Sequence, residues 1–205
     1  MQDKPEKPWK ECSILVAEQQ TRDSLEMSNK SCFTTRNGAL VGTFSALWVV
    51  LNLTLGPRGF VWFVVPIFCD FSVFFTLLLA TWASQRFGST MLVGTIGSIV
   101  IPLVRAQLFI IGFAASAVIF DLLLSGNRHR FCIGLSNIAI TVLSTAISAY
   151  FAGAIIGLAL MNGTAEWALT IWGGYNLIGG IVSLALAFPV TLVLEKAHVR
   201  DLRVA

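Results

Sequence analysis

Six long apolar stretches dominate the chain, at about 38–55, 60–84, 88–104, 106–124, 131–160 and 166–194, with short polar clusters between them. A helix needs about 20 apolar residues to cross the hydrocarbon core of a bilayer. The third stretch is short, whereas the second and the last two are long enough to tilt. Of the 205 residues, 56% are hydrophobic and only 12% charged, against about a quarter charged in soluble domains. So little polar surface cannot cover a water-facing exterior. That excludes a soluble enzyme, a nucleic-acid binder and a disordered chain. The sequence predicts an all-α polytopic membrane protein with six transmembrane helices.

The breaks between stretches carry turn chemistry: Gly56-Pro57-Arg58-Gly59, Gln85-Arg86-Phe87-Gly88, Arg105, Gly126-Asn127-Arg128-His129-Arg130 and Asn162-Gly163-Thr164. At Arg105 the chain is expected to turn with almost no loop. Ahead of the first span, residues 1–37 form a polar arm in which six basic side chains balance six acidic ones. No apolar run follows its basic residues closely enough for a secretory signal. A basic tail, 196–205, closes the chain, leaving 38–195 as the transmembrane domain. Cytoplasmic loops are enriched in Lys and Arg. With both termini cytoplasmic, twelve basic residues lie inside and two, Arg58 and Arg105, outside. The loops alone agree, through Arg128 and Arg130. A multi-pass protein of the plasma membrane is the expected location.

Chemistry is constrained by what the chain lacks. Its four cysteines (Cys12, Cys32, Cys69 and Cys132) form no CxxC, and no His stands at metal-ligand spacing from them. There is no P-loop, nucleophile triad or metal-ligand pair. No enzyme, cofactor or metal is therefore expected, and no nucleic-acid partner beside the lipid bilayer.

Helix association in lipid relies on close contact through small residues. The first span places Gly38, Gly42 and Ala46 at every fourth position. The fifth does the same with Thr141, Thr145, Ala149, Gly153 and Gly157. Each stripe has two readings, packing within the bundle or docking of a partner helix. Pro66 is expected to kink or divide the second span.

Ionisable groups at membrane depth point to function. Asp70, about ten residues into the second span, lies roughly 15 Å deep at the helical rise. It either pairs with Arg105 to fix two helices or contacts a ligand. Glu166 opens the last span, as a solvated acid favoured by the helix dipole or as part of a site. Trp167, Trp172, Tyr175 and Asn176 follow it, with the last three sharing one helical face as a floor for a flat heteroaromatic ligand. Asn52, Arg58 and Trp62 belong to the same side of the membrane. The opposite half offers Asp121, near the basic loop. Polar groups gathered in one leaflet describe a cup open to the outside.

Over about 38–195 the chain resembles the substrate-binding S-components of energy-coupling factor transporters, which import vitamins and their precursors. The resemblance rests on six spans in about 160 residues and on three segments. These are Gly38-Ala-Leu-Val-Gly-Thr-Phe-Ser-Ala-Leu-Trp-Val-Val-Leu-Asn52, Phe87-Gly-Ser-Thr-Met-Leu-Val-Gly-Thr-Ile-Gly97 and Asp121-Leu-Leu-Leu-Ser-Gly126. It implies a vitamin-like small molecule bound from the outer side by the outer helix ends. It also implies that Gly38, Gly42 and Ala46 face a transmembrane coupling subunit, with separate ATPase subunits supplying energy. The arm of about 37 residues is long for that family. Trp, Tyr, Asn and an acid together look like the sites of thiamine-type members and would suit a cationic ring. Arg58 and Arg105 would instead suit a carboxylate or phosphate. The competing expectation is a membrane scaffold or assembly subunit without its own ligand.

Overall fold

The structure, a computed structural model, describes residues 35–63, 67–125 and 135–196. The arm up to residue 34, Pro66, the loop with Arg128 and Arg130, and the tail from 197 lie outside the described residues. All described secondary structure is helical. Six helical segments follow one another: α1 (Thr35–Phe63), α2 (Ile67–Ser84), α3 (Ser89–Arg105), α4 (Gly112–Ser125, led by a 3-10 turn at Leu108–Ile111), α5 (Leu135–Ile155) and α6 (Gly173–Lys196). A π turn, Ile156–Leu160, extends α5. Ala165–Trp167 and a π turn at Ala168–Trp172 lead into α6. Five of these segments are long and apolar enough to cross a membrane, and α3, at 17 residues, is shorter. Bulky apolar side chains such as Leu103, Leu108, Leu143 and Val193 are more than half exposed. Such a surface suits lipid rather than water, as in a multi-pass membrane protein.

Gly56-Pro57-Arg58-Gly59 does not break the first helix. It continues as α1 to Phe63, with Pro57 inside it. Packed beside neighbouring helices, a proline forgoes one hydrogen bond without ending a membrane helix. The glycines here serve close packing instead. A Cβ on Gly59 would meet the Phe68 ring at 2.8 Å, and one on Gly56 would meet Cys69 Sγ at 3.2 Å. The first helix therefore runs to Phe63, beyond the expected break.

The expected turn at Arg105 is present and nearly loopless. Ala106 takes a left-handed conformation (φ 54°) and donates its N–H to the Pro102 carbonyl. Asn162, also left-handed (φ 53°), turns the chain between α5 and α6, as asparagine does more readily than most side chains. Thr164 then caps the new helix by accepting from the Trp167 N–H.

The helices close a ring in the order α1, α2, α6, α5, α4, α3, with α3 returning to α1. Helix α2 also touches α3 and α5 across the ring. It is 72% buried, against 22–44% for the other four long spans, so α2 is the core helix. Its Phe74, Leu77 and Leu78 pack with Trp48, Val93, Ile101, Phe113, Phe120 and Ile156. Phe74 and Phe120 meet edge to face at 6.4 Å.

Asp121 belongs to α4. It is fully buried, and its Oδ2 accepts the Gly88 backbone N–H at 2.6 Å. Gly88 precedes α3 at φ 87° and receives no cap from a side chain of its own turn. A carboxylate on α4 thus takes up a donor at the start of α3.

Candidate functional site

The two small-residue stripes have opposite fates. On α5, Thr141, Thr145 and Ala149 are buried, and the stripe packs against α6. A Cβ on Gly153 would stand 2.5 Å from the Trp172 carbonyl oxygen and 2.8 Å from Gly173 Cα. Gly157 lies as tightly on Ala168, and Gly180 of α6 on Ala149. This is bundle packing, backbone against backbone. On α1, Gly38, Gly42 and Ala46 are all exposed, and nothing lies within 4 Å of a Cβ built at either glycine. The opposite face, Asn37, Val41, Ser45, Trp48 and Asn52, is the buried one.

That close α5–α6 contact sits beside the aromatic group. Trp167 and Trp172 stack with ring centroids 5.4 Å apart and planes 22° from parallel. Residues five apart are not neighbours on an α-helix. The i→i+5 ladder of the π turn between them brings the two rings together. Trp172 is half-buried and its Nε1 is enclosed with no hydrogen-bond partner. Tyr175 is half-buried one turn on. Asn176 is buried to 1% exposure and donates Nδ2 to the Trp172 carbonyl at 2.9 Å, which leaves Oδ1 without a partner.

Asp70 lies in the first turn of α2, fully buried. It rests on the bare backbone of Gly179, where a Cβ would stand 2.4 Å from the Asp70 Cβ. Gly179 is fourteen residues past Ala165, so the carboxyl lies roughly 20 Å below the end of the bundle at Asn162. Neither carboxylate oxygen has a hydrogen-bond partner. The expected pair with Arg105 does not form: Arg105 is exposed at the end of α3, while Asp70 faces α6. Asn52 of α1 completes the polar set. It is 1% exposed, donates Nδ2 to Ser72 Oγ at 3.4 Å, and keeps Oδ1 unpartnered.

The structure thus brings Asp70 and Asn176 to the buried side of α6, with Trp172 nearer the Asn162 end against α5 and Asn52 across α2 at the α1 seam. Arg58, Arg105 and Glu166 are exposed. Trp167, 37% exposed, joins the site by stacking on Trp172. Trp62 lies in the last turn of α1, and its side chain is outside the described residues. Sequence reasoning missed Ser148, fully buried on α5 with an unpartnered hydroxyl. Its only signal was a hydroxyl next to the small-residue stripe.

Burying an amide or hydroxyl group without a hydrogen bond costs free energy, and an unpaired carboxylate costs more. Native structures leave few such groups, and each calls for an explanation such as a water, an ion or a ligand. Here Asp70, Asn52, Asn176 and Trp172 are all of this kind. Compared with known proteins, the chain matches no protein family, no curated protein and no solved structure.

Proposed function

We propose that this chain is the membrane-embedded substrate-capture subunit of an importer of the energy-coupling factor type. It takes up a small, water-soluble, vitamin-like molecule from the outer side. In this reading all six helices span the plasma membrane, both termini are cytoplasmic, and the end bearing Arg105 and Asn162 faces outward. The basic-residue count supports that orientation. The observation that carries the reading is the unsatisfied hydrogen-bonding capacity of Asp70, Asn52, Asn176 and Trp172. Nearer the Asn162 end, the Trp167–Trp172 stack offers a flat aromatic wall, which suits a heteroaromatic compound such as a thiamine-like or pyrimidine ligand.

The open stripe Gly38, Gly42 and Ala46 supports a partner helix on α1, in this reading the coupling subunit served by the ATPase subunits. The same stripe would suit a scaffold subunit. The two readings separate in a tryptophan-fluorescence titration of the purified protein against a panel of vitamins and their precursors. A capture subunit shows saturable quenching by one compound, lost in Asp70→Asn and in Trp172→Phe. Silence across the panel selects the scaffold.

A further inference from the structure

Groups without partners at the α2–α6 seam are unevenly matched: nearly all are acceptors. Gly179 of α6 meets Asp70, and the next residue, Gly180, meets Ala149 of α5. Asp70 and Ala149 therefore stand at one level of the bundle. On the α6 wheel, Asn176 falls between Gly179, which faces α2, and Gly180, which faces α5. Asn176 lies about one turn from the level of Asp70, and each of the two is no more than 1% exposed and has an oxygen lacking a partner. Both Asp70 oxygens are free to accept, and Arg105, the expected counter-charge, is exposed at the end of α3.

Such a set has a definite chemical complement. Oxygen ligands of carboxylate and amide type suit hard cations. A single carboxylate balances one positive charge. Among the described residues no three His, Cys, Asp or Glu side chains gather as a metal site, which disfavours a divalent ion. An anion would meet a carboxylate and an amide oxygen, with no cationic side chain among the groups named to receive it. We infer that the α2–α6 seam binds a monovalent cation, with Asp70 as its counter-charge and Asn176 Oδ1 as a neutral oxygen ligand. The cation is either an alkali ion or the ammonium-like head of an organic molecule. The inference does not depend on the capture reading, since an alkali ion would occupy the seam in a scaffold as well.

Thermal unfolding of the full-length protein in detergent tests it at fixed pH and ionic strength. Chloride salts of Li⁺, Na⁺, K⁺, methylammonium and 4-aminopyridinium are compared with N-methyl-D-glucamine, which is too bulky to enter packed helices. Fixed ionic strength removes general screening, and a ligand that binds only the folded state raises Tm saturably. A saturable rise with one alkali ion identifies an ion site, and a rise with an organic cation alone identifies a ligand head group. Asp70→Asn should abolish the rise, and Asn176→Ala should raise the half-saturating concentration about tenfold. If no cation shifts the wild-type Tm, or if Asp70→Asn responds like the wild type, the cation site is refuted. A vitamin-dependent fluorescence change alongside a flat cation response would refute this inference and leave the capture reading standing.

Discussion

Replacing Gly153 with alanine probes the support of the site at its tightest point. The added Cβ would start 2.5 Å from the Trp172 carbonyl oxygen and 2.8 Å from Gly173 Cα. Ordinary contact begins near 3.4 Å, so α5 and α6 must part locally by about 0.9 Å. No rotamer change relieves this, because the obstructing atoms are backbone. Overpacking of this sort costs about 1–3 kcal/mol, against which alanine's better helix propensity returns at most about 1 kcal/mol. Gly174→Ala, where nothing lies within 4 Å, makes the same chemical change without the clash and should be neutral or slightly stabilising. Thermal unfolding of both variants in detergent, followed by tryptophan fluorescence, compares them directly. Gly153→Ala should unfold at clearly lower temperature, and its folded-state emission should change as the Trp167–Trp172 stack shifts. Equal stability for the two variants would refute the close α5–α6 contact and the placement of the π turn that depends on it.

Other consequences follow from the same geometry. Asp121→Ala strands the Gly88 N–H, so it should cost about 1–3 kcal/mol in a denaturation series, whereas an exposed snorkelling acid would cost almost nothing. Gly88→Ala should cost about 1–2 kcal/mol through its left-handed backbone alone, measurable in the same series. Gly42→Ile fills open space on α1 and should leave the unfolding temperature unchanged while preventing co-purification of a partner subunit. Loss of stability in that variant would mean that this face is packed within the bundle. Glu166→Gln and Arg105→Gln alter exposed side chains and should stay within about 0.5 kcal/mol of the wild type. A large loss with Arg105→Gln would revive its pairing with Asp70.

Hydropathy made the helices legible because lipid exposure and core packing both demand apolar side chains. The expected span 166–194 falls within Ala165–Lys196, and the turns at Arg105 and Asn162 stand where the residues indicated. Turn chemistry failed at Gly56-Pro57-Arg58-Gly59, where the glycines admit Phe68 and Cys69 to a continuous helix. Identity alone cannot tell a glycine that bends the chain from one that lets a neighbour close. Asp70 and Asn176 were legible as polar groups in an apolar setting. Their relation was not, because which way Asp70 faces depends on the ring order that sets α2 between α1 and α6. The Trp167–Trp172 stack was hidden for another reason: it depends on a π turn that no residue pattern announces.

Mass spectrometry shows whether the buried polar set receives a small molecule. The protein would be extracted in mild detergent with no ligand added, and the small molecules released on denaturation identified. The account predicts one vitamin-like compound at near-stoichiometric amount, absent from Asp70→Asn and reduced in Trp172→Phe. Wild-type protein that carries no such compound, or variants that carry it as fully as the wild type, would contradict it.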